Sequence, residues 1–238
     1  MPAAAPTILA TSIGFNRAGT PWQPGPIFRY AFDLAGASTE PRLCLLATAG
    51  GDQELTIERC SAAFAGSGIR VSHLALFDKP NVPDVAAHLH AQDVIWVDRG
   101  SLVNLLAVWR AHGLDAILRG CWRAGVVLAG ESAGSLCWFA GATTDSFGPV
   151  RGLRDGLGFL PYANAVHYAE RRALFQQLVG DGSLPTGYAT DAGAGLHYEG
   201  TTLVAAIADR RNAGAYRVER QPDGSVNEEP LQVTRLRR

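Results

Sequence analysis

Residues 125–140, GVVLAGESAGSLCWFA, contain the pattern that decides the fold. The apolar run at 125–129 predicts a fully buried strand, because it is too short and too rich in β-branched residues for a helix. GESAG follows at 130–134, and residues 135–140 have the composition of a buried helix. A strand, a G-x-S-x-G turn and a helix together predict a nucleophile elbow, in which the Ser132 hydroxyl projects above the sheet.

The chemistry of acyl transfer explains this spacing. The flanking glycines leave room for a crowded turn, and the free N–H groups and positive end of the new helix would face an oxyanion formed beside the serine. An ordinary turn of a parallel sheet could carry the same small residues. The strand and helix on either side favour the catalytic interpretation.

The composition limits the class of protein. The chain has 238 residues, 47% hydrophobic and 18% charged, with a formal net charge of −1, which suits one large domain over residues 1–238. This charge gives no electrostatic reason to bind nucleic acid or an anionic membrane. No apolar run approaches the ~18 residues of a membrane span. The first residues lack the basic segment of a signal peptide, so we expect a cytoplasmic protein.

The four cysteines occur singly, without a C-x-x-C pair. Single cysteines in apolar surroundings are typical of reduced, buried thiols rather than of disulfides or a zinc site. We therefore expect no metal.

Buried strands alternate with helices along the first half of the chain. The predicted strands are 7–13, 42–47, 69–76 and 93–97, followed by 125–129, and the predicted helices are 27–34, 54–65, 82–90 and 102–118. This alternation predicts right-handed crossovers and a doubly wound, mostly parallel α/β sheet with helices on both faces. Sites in such sheets form beyond the carboxyl ends of the strands.

The pattern loosens after the elbow. Residues 141–158 predict a loop-rich segment or hairpin, and 159–167 lead into a helix over 170–179. Short strands are predicted near 186–190, 194–198, 201–208 and 214–219.

A serine nucleophile needs a base within hydrogen-bonding reach and an acid that orients the base. Of the histidines, only His167 and His197 follow the elbow. His167 ends a strand just before a helix, whereas His197 lies within a late strand. The order Ser, acid, His of α/β-hydrolases would use His197, and the order Ser132, His167, Asp191 needs a different family.

At this point the chain resembles the peptidase E and cyanophycinase family of serine peptidases. The resemblance covers most of the chain and rests on several segments. These are AGESAGS around Ser132, TTDSFGP at 143–149, GLGFLPYANAVHYAERRALF at 156–175, LPTGYATDAGAGLHY at 184–198, and NLLAVWRAHGLDAILR at 104–119. It implies a fold similar to the class I glutamine amidotransferases, which is flavodoxin-like.

The resemblance also implies roles for individual residues. Ser132 would be the nucleophile, His167 the base, and Asp191 the acid. Whether Asp191 or Glu199 faces the histidine stays open. The oxyanion hole would combine the N–H of Ala133 with one from the turn at Gly100.

The chain departs from the family pattern in that turn. A GGGNT-like sequence is usual there, and residues 98–102 are DRGSL instead. Gly100 keeps a bare backbone at the turn, while the charged residues before it indicate altered substrate specificity.

Arginine side chains could bind a substrate carboxylate, because better-known family members cleave dipeptides with an N-terminal aspartate and a guanidinium can bond both oxygens. The candidates are Arg171, Arg172 and Arg99, although the first two would also suit an exposed helix face. Glu131 could hold a substrate amine or face water. Asp145 is expected at the rim of the pocket.

The sequence thus predicts a serine exopeptidase, a dipeptidase that acts on short peptides without a cofactor. Two alternatives stay open. One is a binding or regulatory protein with impaired catalysis on the same fold, and the other is an esterase-like hydrolase that uses His197. Related proteins of this fold often pair, so we expect a homodimer.

Overall fold

The computed structural model describes residues 3–37 and 39–237, so Met1, Pro2, Ser38 and Arg238 of the predicted 1–238 domain lie outside the described residues. The strands in chain order are β1 (Thr7–Thr11), β2 (Phe15–Asn16), β3 (Gln23–Pro24), β4 (Arg42–Leu46), β5 (Arg70–Leu74), β6 (Val94–Val97), β7 (Val127–Glu131), β8 (Phe139–Thr144), β9 (Arg151–Leu153), β10 (Leu160–Val166), β11 (Gly187–Thr190), β12 (Ala194–Glu199), β13 (Thr202–Ala208), β14 (Ala215–Arg220), β15 (Val226–Pro230) and β16 (Val233–Arg235).

The helices are α1 (Pro26–Leu34), α2 (Glu54–Ala62), α3 (Val85–His90), α4 (Leu102–Ala111), α5 (Leu114–Arg123), α6 (Ala133–Leu136) and α7 (Tyr168–Gly180), with a 3₁₀ helix at Thr48–Gly50. Within the described ranges, no helix is long and apolar enough to cross a membrane.

A large sheet forms the first layer, with strand order β16-β13-β12-β1-β7-β6-β4-β5. The five neighbouring strands β1, β7, β6, β4 and β5 are parallel, while β12 pairs with β1 in the antiparallel direction. Successive residues of β7 point to opposite faces: Val127 and Ala129 pack under α1 and α2, and Leu128 packs with α4 and α5. Because both faces are covered, the inner strands of this group are mostly apolar, whereas the edge strand β5 carries Arg70, Ser72 and His73. The predicted doubly wound α/β fold is confirmed.

A second sheet has the order β15-β14-β11-β10-β8-β9, with β8, β10 and β11 parallel. One of its faces packs on α7 through small residues such as Ala163 and Ala189. Other residues, among them Phe139 and Leu160, join the core of the first sheet. The hairpin expected within 141–158 is confirmed as the pairing of β8 with β9.

Two helix predictions are wrong. The helix expected at 102–118 is broken into α4 and α5, because Gly113 adopts a left-handed conformation with φ 63°. The helix expected at 135–140 ends at Leu136, and Phe139 begins β8. The carbonyls of Trp138 and Phe139 accept N–H bonds from residues 158–160 instead of from a following helical turn. An apolar run of this length suits either structure, and the non-local pairing decides.

Candidate active site

Ser132 occupies a strained turn at the end of β7. Its backbone has φ 57° and ψ −113°, a region that non-glycine residues rarely adopt. Its N–H donates to the carbonyl of Thr11 over 3.1 Å, and its own carbonyl accepts the N–H groups of Ser135 and Leu136 over 2.9 Å. These bonds hold the half-buried serine between β7 and α6, as the predicted elbow requires.

The two glycines of G-x-S-x-G are needed for close packing. A Cβ on Gly134 would lie 2.1 Å from the carbonyl oxygen of Val97, and one on Gly130 would lie 2.2 Å from the carbonyl oxygen of Gly134. Both distances are far below van der Waals contact. The elbow is therefore pressed against the end of β6, which brings the turn after Val97 beside Ser132.

That turn and α6 are the two places where the sequence predicts the backbone N–H groups of an oxyanion hole. Ala133 is the first residue of α6, whose four residues give little macrodipole, so any anion stabilisation must come from the N–H groups themselves. Gly100 has φ 150°, and a Cβ there would lie 2.1 Å from the carbonyl oxygen of Ala49. The Ser101 N–H also bonds to Ala49 over 2.8 Å. Only glycine fits this turn.

His167 follows β10 and caps α7 in a left-handed conformation, with φ 53° and ψ 49°. Its side chain is half-buried. Burial and the positive charges of Arg171 and Arg99 lower the pKa of His167, while Glu170 and Asp145 act in the opposite direction. The imidazole is therefore neutral at pH 7, as a general base must be.

Asp191 follows β11, the parallel neighbour of β10, and Val166 is paired with Thr190 in the sheet. His167 and Asp191 thus leave adjacent strands at the same edge, and both line a cleft of about 540 Å³. Among the described residues, the recorded hydrogen bonds of the Asp191 carboxylate come from the Gly214 N–H at 3.0 Å and the Tyr216 hydroxyl at 3.3 Å, and none comes from His167.

Glu131 is mostly buried and is bonded to an arginine, so the expected contact with a substrate amine stays a prediction. Both of its carboxylate oxygens accept from Nη1 of Arg17, over 2.8 and 2.9 Å, and Nη2 of the same arginine bonds to Asp98. Burial raises the pKa of Glu131, Arg17 opposes this, and Asp98 adds to it.

Arg171 is buried rather than on an exposed helix face. Its Nη1 donates to the Thr143 carbonyl over 3.0 Å, and its Nη2 lies 3.1 Å from the Asp145 carboxylate. These contacts hold the segment that follows β8. Asp145 is largely exposed and lies near enough to His167 to affect its pKa, and its place at the rim of a substrate pocket stays a prediction.

The other two candidate arginines are more accessible. Arg172 is about half exposed, pairs with Glu228 at 3.2 Å and lies 5.0 Å from the ring centres of Tyr168 and Tyr216. Arg99 is exposed in the turn after β6. Its positive charge contributes to lowering the pKa of both Glu131 and His167, so it lies near both side chains.

A cleft of about 980 Å³ opens over the carboxyl ends of the first sheet's strands. Its charged and titratable lining residues are Arg17, Arg29, Arg99, Glu131, His167, Asp209 and Arg210. It shares His167, Ala192 and Arg210 with the 540 Å³ cleft, so the two spaces adjoin at the histidine. Within the described parts of the chain, no group of three or more His, Cys, Asp or Glu side chains could hold a metal ion.

His197 lies elsewhere. It is buried within β12 opposite Leu9, and its Nδ1 lies 3.0 Å from the Tyr30 hydroxyl of α1. Glu199 affects the pKa of both His197 and Tyr30, and it is exposed at the end of β12 that pairs with Thr7. This is the opposite end of β1 from Thr11, which bonds to Ser132.

Sequence reasoning did not identify Arg17. The residue belongs to a Gly- and Pro-rich segment that predicts only a loop, and 114 positions separate it from Glu131. No local pattern indicates a contact at that distance. The fold also joins the loop after β1 to the second sheet through Ser12 and Thr190, whose hydroxyls are 3.0 Å apart.

Comparison with known proteins identifies the family of the chain. The model of peptidase family S51 matches residues 26–205. The uncharacterized peptidase YgaJ of Bacillus subtilis strain 168 is 42% identical over 200 residues, which cover 83% of this chain and 86% of that protein.

Solved structures show the same fold. A crystal structure of a peptidase from an acI-B1 Actinobacterium has a TM-score of 0.70 at 14% identity, covering 96% of this chain and 95% of that one. A protein named as a peptidase E, from Listeria monocytogenes EGD-e, has a TM-score of 0.58 at 16% identity, covering 84% and 98%. The family match over most of the chain and the 42% identity to a peptidase place this chain in peptidase family S51.

Proposed function

We propose that the protein is a serine exopeptidase that hydrolyses short peptides, with Ser132 as the nucleophile and His167 as the general base. The backbone of Ser132 carries the proposal. A non-glycine residue with φ 57° and ψ −113° costs about 1–3 kcal/mol, and such strain persists mainly where function needs it. Here the strain holds a hydroxyl at the carboxyl edge of a central strand.

In this mechanism His167 takes the Ser132 proton as the serine oxygen attacks the carbonyl carbon of the scissile bond. The resulting oxyanion accepts hydrogen bonds from the Ala133 N–H and from the turn at Gly100. The imidazolium then gives its proton to the leaving amine, and water hydrolyses the acyl-enzyme by the same route. The lowered pKa of His167 supports the role of base, because the neutral form dominates at pH 7.

We propose Asp191 as the acid that orients His167. Its support is the pairing of β10 with β11, which places both residues at one edge, and the cleft that they share. Glu199 is disfavoured because it lies near His197 and Tyr30.

The cleft supports a small substrate with negative charge. A volume of about 980 Å³ lies within the range of small-molecule sites, and arginines outnumber carboxylates in its lining. Arg99 and Arg210 are exposed at this lining and could bind substrate carboxylates, one of which would be the side chain of an N-terminal aspartate.

The test is hydrolysis of a dipeptide panel (Asp-Leu, Ala-Leu, Arg-Leu, Met-Leu and N-acetylated Asp-Leu) by the wild type, Ser132→Ala and His167→Ala. We expect cleavage of Asp-Leu that falls at least ~1000-fold in either variant. Cleavage of other dipeptides of the panel, if it also depends on Ser132 and His167, would support the same mechanism with a different substrate specificity. A folded protein without serine-dependent turnover would favour the alternative, a binding protein whose charged 98–102 turn has impaired catalysis.

An esterase-like enzyme using His197 is the second alternative. Its geometry is unfavourable, since His197 is buried under Tyr30. Retained turnover in His167→Ala, together with loss of turnover in His197→Ala, would support this esterase-like alternative.

We also propose that residues 1–238 form one domain that works as a cytoplasmic homodimer. The core shared by both sheets supports one domain. The four cysteines are buried and unpaired, as in reducing compartments. The edge strand β5 offers a surface for pairing, and light scattering of the purified protein tests the dimer.

A further inference from the structure

Three charged side chains from distant segments meet beside the nucleophile. Arg17 bonds both oxygens of Glu131 through Nη1, over 2.8 and 2.9 Å, and it bonds Asp98 through Nη2. The three side chains are only 12%, 12% and 8% exposed. The pairs are thus largely withdrawn from solvent, and their geometry is more constrained than that of a surface pair.

Arg17 is itself held in place. Its guanidinium carbon lies 4.9 Å from the ring centre of Trp22 and 5.6 Å from that of Phe15, so both residues flanking its loop pack against it. A Cβ on Gly14 would lie 1.9 Å from Oε2 of Glu131. The hairpin of β2 and β3 therefore presents a fixed cation to the elbow.

The two carboxylates mark the two halves of the proposed oxyanion site. Asp98 begins the turn that contains Gly100, and Glu131 directly precedes Ser132. We propose that Arg17 is a positioning residue, which fixes the 98–101 turn against the nucleophile elbow by bonding one carboxylate of each. This inference rests on the proposed function of Ser132, and it adds a residue that takes no part in proton transfer.

The charges explain why the arginine is needed. Without it, two buried carboxylates would lie side by side, and each would disfavour the ionised form of the other. The charged and titratable groups that face Glu131 are Arg17 from the hairpin, Asp98 and Arg99 from the turn, and Cys60 from α2. Burial and the negative charges of Asp98 and Glu131 raise the pKa of the Cys60 thiol to about 12, with Arg17 opposing, so this thiol supplies no compensating charge.

A similar ion pair at the other end of β6 provides a matched control. Arg42 bonds both oxygens of Asp93, over 2.8 and 3.2 Å, immediately before the strand begins. Asp98 follows the same strand where it ends. Removal of either arginine thus breaks an ion pair at one end of β6. Of the two arginines, only Arg17 lies at the end near Ser132.

The experiment compares Arg17→Met, Arg17→Lys, Arg42→Met and the double variant Arg17→Met/Glu131→Gln with the wild type, on the dipeptide that Ser132 cleaves. We expect kcat per folded molecule to fall about 10- to 100-fold in Arg17→Met, with KM changed less than about threefold, because displaced donors cost transition-state stabilisation. Arg17→Lys keeps the charge without the fork and should recover only part of kcat. Arg42→Met should keep the wild-type kcat.

Two readouts separate positioning from plain stability. Glu131→Gln in the Arg17→Met background should restore much of the Tm, because it removes the repulsion between the Glu131 and Asp98 carboxylates. The kcat should stay low, because the 98–101 turn is still not bonded to the elbow through Arg17. Amide hydrogen exchange of residues 98–101 should be faster in Arg17→Met than in Arg42→Met. A kcat that recovers together with Tm, or unchanged exchange in the turn, would overturn the inference.

Failure of the proposed function gives a different result. If turnover in the wild type does not depend on Ser132, the peptidase mechanism falls, and the exchange comparison alone still decides whether Arg17 fixes the turn.

Discussion

The carbonyl oxygen of Val97 fills the space that a side chain on Gly134 would need, with only 2.1 Å between that oxygen and a Cβ. The end of β6 and the start of α6 are therefore in direct backbone contact. Both glycines of the elbow serve this contact, which sets the distance between the Ser132 turn and the 98–101 turn.

Gly134→Ala should consequently damage both stability and catalysis. The neighbouring atoms belong to the backbone, so the strand or the elbow must move, at a cost of about 1–3 kcal/mol. We expect kcat to fall at least tenfold in the folded fraction. Gly19→Ala is the control, because nothing lies within 4 Å of its Cβ and it should leave both quantities unchanged. Equal behaviour of the two variants in urea unfolding and kinetics would refute the packing argument.

Backbone strain at Ser132 should be measurable as stability. Ser132→Ala and Ser132→Gly both remove the hydroxyl, and both should lose turnover. Glycine tolerates φ 57° where alanine does not, so Ser132→Gly should be the more stable by about 1–2 kcal/mol. Chemical denaturation of the two inactive variants measures this difference directly, and identical midpoints would show that the turn is unstrained.

The pH dependence of kcat/KM should follow the charges around His167. Its pKa lies below the ordinary value, so activity should rise with pH through an apparent pKa below about 6.5. Arg99→Gln removes a cation that disfavours the imidazolium, so the pKa rises and the acid limb moves to higher pH. Asp145→Asn removes an anion, so the limb moves to lower pH. Arg70→Gln, at the amino end of edge strand β5, should leave the profile unchanged. Shifts of the opposite sign would exclude His167 as the base.

The same charge environment also affects folding stability. Because the folded-state pKa of His167 is lowered, the unfolded chain binds more protons over the interval between the two values. His167 therefore contributes stability that is present above the unfolded pKa and is lost as the pH falls through the folded pKa. Wild-type protein should unfold more easily on mild acidification than His167→Gln does.

Arg171 and Arg172 are sequence neighbours with different expected effects. Arg171→Met leaves the Thr143 carbonyl without a charged donor, which should cost about 1.5–3 kcal/mol and loosen the segment carrying Asp145. Arg172→Met removes a half-exposed pair with Glu228 and should cost at most about 1 kcal/mol. Thermal unfolding compares them, and a larger loss for Arg172→Met would contradict this assignment.

The sequence was sufficient for the parts of the fold that depend on local pattern. The buried strands β1, β4, β6 and β7 each contain a run of at least three apolar residues, and the elbow has its own G-x-S-x-G sequence. The division of residues 102–118 into two helices was not predictable, since one glycine in a helical pattern costs only about 1 kcal/mol and tertiary packing decides whether the helix continues.

The site shows the same division. Ser132 and His167 could be proposed from the sequence because each follows a recognisable strand, and their catalytic roles stay predictions. The contact of Glu131 with Arg17 depends on a hairpin whose own sequence predicts a loop, so charge pairing across 114 positions had no local signal. The predicted role of Asp191 stays a prediction, because its observed partners are Gly214 and Tyr216.

The chain passes from the first sheet to the second immediately after α6. This crossing has a consequence for how mutations could change the catalytic rate during evolution. Ser132, the proposed nucleophile, follows a strand of one sheet, and His167, the proposed base, follows a strand of the other, so their separation depends on the apolar contacts between the two sheets. Trp138 lies at the crossing, with ring centres of Trp109 and Phe159 5.9 and 5.8 Å away. We therefore expect substitutions in this aromatic cluster to change the rate of the proposed reaction without altering any residue proposed to contact the substrate.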